Sequence, residues 1–168
     1  MNAAASISFA EWLAWNDAEA ARWRAWFQRQ DPGLLDVPVT IANAGTVRGL
    51  LLHIFGVELR HAERLSGQPA LTPDELLPSG SVDALFSIGE RARAMLRDYL
   101  ERATSGDLRE VIAVQTRSAG PVEVSRRKLA LHVLVHGLRH WAQLATELRR
   151  AGFPTDWPHD AIFAKELE

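Results

Sequence analysis

Apolar residues recur every three or four positions along four long stretches, the spacing of helices that bury one face. The first opens with Ser8-Phe9-Ala10-Glu11, a capping box. It continues through Phe9, Trp12, Asn16, Ala20, Trp23, Trp26 and Phe27 until Pro32-Gly33 stops it. In the second, Thr46 reads as the N-cap of a helix to about Ser66, with Gly67 as its C-terminal glycine. Leu50 to Phe55 is apolar nearly all round, which predicts deep burial. The third starts at Ser81 and carries Leu85, Ile88, Ala92, Met95, Leu96 and Tyr99 to about Ala103, where Ser105-Gly106 closes it. The fourth is capped by Ser125 and runs from Arg126 to about Ala151; Gly152 and Pro154 forbid its continuation.

The connections are shorter and less regular. Residues 31–45 read as a link, long enough to allow a crossover. Thr72-Pro73-Asp74-Glu75 predicts a short helix ended by Pro78-Ser79-Gly80. Val111–Val114 and Val122–Val124, around Gly120-Pro121, suit either a small hairpin or an irregular crossover. The tail from Phe153 is expected to wrap back on the helices. The expected fold is all-α, a four-helix bundle occupying residues 1–168 as one domain.

Composition narrows the function classes. A net charge of -2 on 168 residues gives no electrostatic case for nucleic acid or a membrane surface. The chain has no cysteine, so a thiolate nucleophile and Cys-ligated metal sites are excluded. Neither a signal peptide nor a transmembrane span is predicted, and the expected location is cytoplasmic. Four of the six tryptophans lie in the first helix. Such stripes usually pack, so a core role is preferred to a ligand-facing wall.

The chemistry concentrates in the fourth helix. His132, His136 and His140 follow one another at four-residue steps, each turning about 40° and rising about 6 Å. They form a stripe bordering the apolar face, and Gly137 beside it is expected to clear space there. His132 and His140 stand about 12 Å apart along the axis, so one ion cannot take all three. His53, inside the most apolar part of the second helix, is the natural third ligand from a facing helix. Gly49 and Gly56 lie on its face and suggest room for an ion, with plain helix contact as the alternative. Three neutral imidazoles with open positions would suit a divalent metal at a reactive site. The competing reading is a set of buried, hydrogen-bonded histidines. His136-x-x-x-His140 has the spacing of the zincin pattern, but Gly137 stands where that pattern needs a glutamate. His61 is expected at the surface or near a helix end, and His159 is given no role.

These features together resemble the DinB-like (DinB/YfiT-like) superfamily. The resemblance rests on Leu52-His53-Ile54-Phe55-Gly56-Val57-Glu58 and on His132, His136, His140 and Gln143 in the order His-x-x-x-His-x-x-x-His-x-x-Gln, and it spans roughly residues 9–152. It implies an up-down-down-up four-helix bundle, commonly a homodimer. It also implies a divalent metal, nickel or zinc, on His53, His136 and His140. His132 and Gln143 match positions with supporting or pocket roles. One departure is Trp141-Ala142, where the family often has Arg-Gly.

Characterised members of the superfamily include transferases and isomerases that use low-molecular-weight thiols such as bacillithiol or mycothiol. The resemblance therefore implies a metal-dependent enzyme acting with an external thiol, or a hydrolase using metal-activated water. Glu58 and Glu147 are candidate bases only by closeness in sequence; helix-pairing or surface charges are the plainer reading. The alternative is a non-catalytic dimeric module for a small ligand or a stress response. A purely structural bundle that binds no metal is a third reading.

Overall fold

The computed structural model describes residues 6–71, 80–116 and 120–167. Its long helices are α1 (Phe9–Gln28), α2 (Val47–Leu65), α3 (Val82–Arg102) and α5 (Arg126–Arg150), with a short α4 (Ser105–Arg109) between the last two. Two antiparallel ribbons accompany them: β1 (Pro38–Val39) with β2 (Gly45–Thr46), and β3 (Val111–Thr116) with β4 (Gly120–Ser125). The chain is thus mostly helical but not purely so. No helix among the described residues is long and apolar enough to cross a membrane.

Local signals explain most boundaries. The capping box at Ser8 and Glu11 is formed on both sides. The side chains of Thr46, Ser81 and Ser125 accept from backbone N–H groups in the first turns of α2, α3 and α5. Gly67 and Gly152 follow α2 and α5 at φ 71° and 90°, conformations that glycine adopts without strain. α3 ends where expected, near Ala103, but Ser105-Gly106 is not what closes it. The helix stops at Arg102, and Thr104 with Asp107 forms a second capping box that opens α4. Of the two readings for residues 109–124, the hairpin is the one formed, with Val111 opposite Ser125 and Thr116 opposite Gly120. The capping box expected at Thr72–Glu75 lies outside the described residues.

The interior has two apolar clusters. One gathers Trp23, Phe27, Leu50, Leu51, Ile54, Phe55, Phe86, Trp141, Leu144 and Leu148. The other gathers Leu13, Ala62, Leu65, Leu96, Val114, Leu129, Val133 and Leu134. Each long helix contributes to both, so its direction can be read from the order. α1 and α5 run from the second cluster to the first; α2 and α3 run the opposite way.

Between the clusters every long helix changes character at the same level. α1 places buried Asn16 there, α2 buried Glu58, α3 buried Arg93 and α5 Gly137. Arg93 Nη1 donates to Glu58 Oε2 at 2.9 Å, and its Nε donates to Asp17 Oδ1 at 2.6 Å. Arg97 closes the network on Asp17. Gly137 belongs to this layer. A Cβ there would stand 2.8 Å from Glu58 Oε1 and 3.5 Å from Asn16 Oδ1. The missing side chain makes room for the buried carboxylate, which corrects the expectation that Gly137 clears space beside the histidines.

A second close approach occurs on α3. A Cβ at Gly89 would sit 2.3 Å from Phe55 Cδ1 and 2.8 Å from Arg93 Nη1. Phe55 is fully buried and cannot step aside, so Gly89→Ala is expected to lower stability by about 1–3 kcal/mol through overpacking. Urea titration of both proteins measures it; an unchanged midpoint would contradict the packing described.

Candidate metal centre

α2 and α5 run antiparallel, so successive histidines on one helix meet successive histidines on the other in reverse order. His53 lies against His140 and His136, with ring centroids 4.8 and 5.0 Å apart. One side chain from α2 and two from α5, a helical turn apart, converge on one point. The rings of His136 and His140 are 4.4 Å apart. His53 Nε2 and His140 Nε2 face each other at 3.2 Å. One nitrogen from each of the three rings can be chosen so that all lie within 4.8 Å of one another.

This donor set fits a metal ion. Two imidazole nitrogens on a tetrahedral zinc stand about 3.3 Å apart, given bond lengths of about 2.0–2.1 Å. The His53–His140 nitrogens are already at that spacing. Burial, reinforced by the neighbouring imidazoles His140 and His53, holds His136 down to about 2. Burial and then the Arg139 charge lower His140, against an opposing pull from the neighbouring Gln143 side chain. Both rings are therefore neutral at pH 7, the form that ligates metal. The Nδ1 atoms of His136 and His140 and the Oε1 of Gln143 are buried without a hydrogen-bond partner. The protein alone does not complete the polar chemistry of this enclosure.

His132 lies on the exposed part of the stripe, and its ring centroid is 5.3 Å from that of His136. His61 lies one turn from the end of α2, as expected, and outside the converging three. It is partly buried, its ring lies edge-on to His132 at 5.5 Å, and burial with the Arg64 and His132 charges lowers it to about 3. Five imidazoles thus form one row between α2 and α5, of which three converge. Gly49 is also corrected. A Cβ there would meet the Ala44 carbonyl oxygen at 2.1 Å, so the glycine admits the preceding connection and not an ion.

Neither candidate base faces the cluster with a free carboxylate. Glu58 is bound to Arg93 in the buried polar layer. Glu147 pairs with Arg150 at 3.1 Å near the end of α5. Burial pushes the Glu58 carboxyl up to about 7, against the opposing pull of Arg93. An acid whose folded pKa is raised takes up protons on folding, so its contribution to stability falls as pH rises from about 4.5 to about 7. Glu58→Gln should remove that fall, on the order of 2–3 kcal/mol, from a stability–pH curve. Denaturant titrations of both proteins at pH 5 and pH 7.5 measure the difference, and parallel curves would refute it.

Sequence reasoning missed a further constellation. Glu19, 2% exposed, accepts from His159 Nδ1 at 2.6 Å, from Trp157 Nε1 at 3.3 Å and from Arg22 Nη1 at 3.1 Å. These contacts fasten the tail to α1, and the His159 ring stacks on Trp23 at 5.2 Å. The tail does wrap back, and His159 is what holds it. The tryptophan stripe is chiefly core, as read, although Trp12 and Trp15 also wall a cavity of about 370 Å³ beside α5.

A mostly helical chain here brings three imidazoles together from two helices, a group that could hold a metal ion. The model of the DinB family matches residues 1–165, and the chain belongs to that family. Comparison with curated proteins gives no match.

Proposed function

We propose that this DinB family protein is a divalent-metal-dependent enzyme whose ion, nickel or zinc, is held by His53, His136 and His140. The carrying observation is the convergence of three imidazoles, two of them kept neutral by burial, with His53 and His140 nitrogens 3.2 Å apart. When bound, the ion supplies Lewis acidity that holds a coordinated thiol deprotonated or lowers the pKa of water. The chain has no cysteine of its own, so the thiol in this reading is an external low-molecular-weight one. S-transfer or isomerisation is the first expectation and hydrolysis the second. His132 and Gln143 border the site: Gln143 lies one turn beyond His140 on α5, and His132 lies against His136 on the solvent side.

The helix directions, α1 and α5 one way and α2 and α3 the other, support an up-down-down-up bundle forming one domain. We place the protein in the cytoplasm as a homodimer. A non-catalytic ligand-binding module is the second reading, favoured by the engagement of Glu58 and Glu147 elsewhere. Elemental analysis of the purified protein, followed by a screen of thiols against electrophiles and of ester substrates, tests the proposal. One nickel or zinc per chain with turnover supports it. Metal without turnover favours the module, and no metal at all overturns both.

A further inference from the structure

Arg139 precedes His140 on α5 and is an exposed residue. Its guanidinium nonetheless turns to the histidines: Nη2 lies 3.3 Å from His140 Nε2. That is the same nitrogen that faces His53 Nε2 at 3.2 Å. The cation therefore sits at the edge of the point where the imidazoles converge. Among the described residues no carboxylate pairs with Arg139. The charged or ionisable neighbours that bear on His136 and His140 are other histidines and Arg139 itself, with no acid among them. Other arginines do have such partners, as Arg24 has Asp83 and Arg126 has Glu110.

We propose that Arg139 is an anion-binding arm of the metal centre, which selects a small ligand carrying a carboxylate in addition to the atom that takes the open position on the ion. The inference rests on the metal reading above. A divalent ion on three neutral imidazoles keeps two positive charges, and Arg139 adds a third. With the ion in place the lone pair of His140 Nε2 is taken, so the guanidinium loses its acceptor there and its fork is released. A neutral ligand would leave that fork without a partner. A ligand bearing both a donor anion and a carboxylate offsets two of these three charges and meets the planar fork with two hydrogen bonds. Arg139 also borders the cavity walled by Trp12, Trp15 and Trp141, which Glu19, held by His159 and Trp157, and Asp160 line as well and which gives its side chain room to leave His140.

The test uses the full chain loaded with cobalt(II), whose visible absorption reports thiolate coordination. Two thiols of similar size serve as probes, 3-mercaptopropionate with a carboxylate and 2-mercaptoethanol without one. Wild-type protein is expected to bind the carboxylate-bearing thiol at least about tenfold more tightly, the scale of one charge-assisted contact. Arg139→Gln should narrow the preference to about twofold or less while binding cobalt as well as wild type or better, since a competing cation is gone. Arg139→Lys should restore part of the preference, through charge without the fork. An equal preference in wild type and Arg139→Gln, or loss of cobalt from Arg139→Gln, overturns this role. Failure of wild-type protein to bind one cobalt per chain overturns the metal reading instead.

Discussion

His53→Ala is expected to reduce bound nickel or zinc from one per chain to a small fraction at micromolar metal, with affinity at least about 100-fold weaker. The scale follows from metal-site free energies of about 10–16 kcal/mol shared among a few ligands. His53 is the only ligand that α2 supplies, and its removal leaves two imidazoles on one helix, a pair that any surface His-x-x-x-His can offer. His132→Ala, beside the cluster but outside it, should retain the metal within about tenfold. Equilibrium dialysis of both variants distinguishes the converging triad from a diffuse histidine surface. Wild-type stoichiometry in His53→Ala would remove the triad from consideration. Circular dichroism confirms that the variant folds, since His53 contributes little to either apolar cluster.

The largest expected effect on stability is that of Arg93→Met, at about 3–5 kcal/mol. The substitution keeps most of the side-chain volume and removes the charge. It leaves Glu58, itself 2% exposed, buried without its partner, and strips one of the two guanidinium contacts from Asp17. Most of the loss comes from the stranded carboxylate and not from the absent contact. The double variant Glu58→Leu/Arg93→Met should accordingly recover much of it, because an apolar pair of similar volume avoids the desolvation of two charges. Chemical denaturation of the single and double variants measures the coupling. A double variant no more stable than Arg93→Met would mean that the layer acts through packing alone.

Signals that act within one or two helical turns were legible in the chain. Caps at Ser8, Thr46, Ser81 and Ser125 and glycines 67 and 152 set the long helices to within a few residues. The site was legible because one of its halves has a fixed pitch. Four-residue spacing places His136 and His140 on one face wherever the helix lies, and a histidine in an apolar run announces the facing half. Relations between helices were harder. Glu58 looked like a helix-pairing charge, but only the packed molecule shows it paired at full depth, with Gly137 opened toward it. The contact of His61 with His132 went unread because His132 lies on another helix whose direction had to be known first. Glu19 and His159 stand 140 residues apart, and neither has a local signature that names the other. Thr104 was overlooked because the more conspicuous Ser105-Gly106 follows it.

His53 and His140 are 87 residues apart in the chain. Bringing two such points together in a flexible chain costs roughly 4 kcal/mol of loop-closure entropy, close to a thousandfold in an association constant. The folded protein has already closed that loop through the contact of α2 with α5, so an ion meets the two halves at no further cost. The same ion finds no comparable site in the unfolded chain. Any metal held there acts as a reversible staple across half the polypeptide, and supply of the ion becomes a control on how much of the protein stays folded. With an ion bound, a chain without cysteine would have a cross-link that does not depend on thiol oxidation.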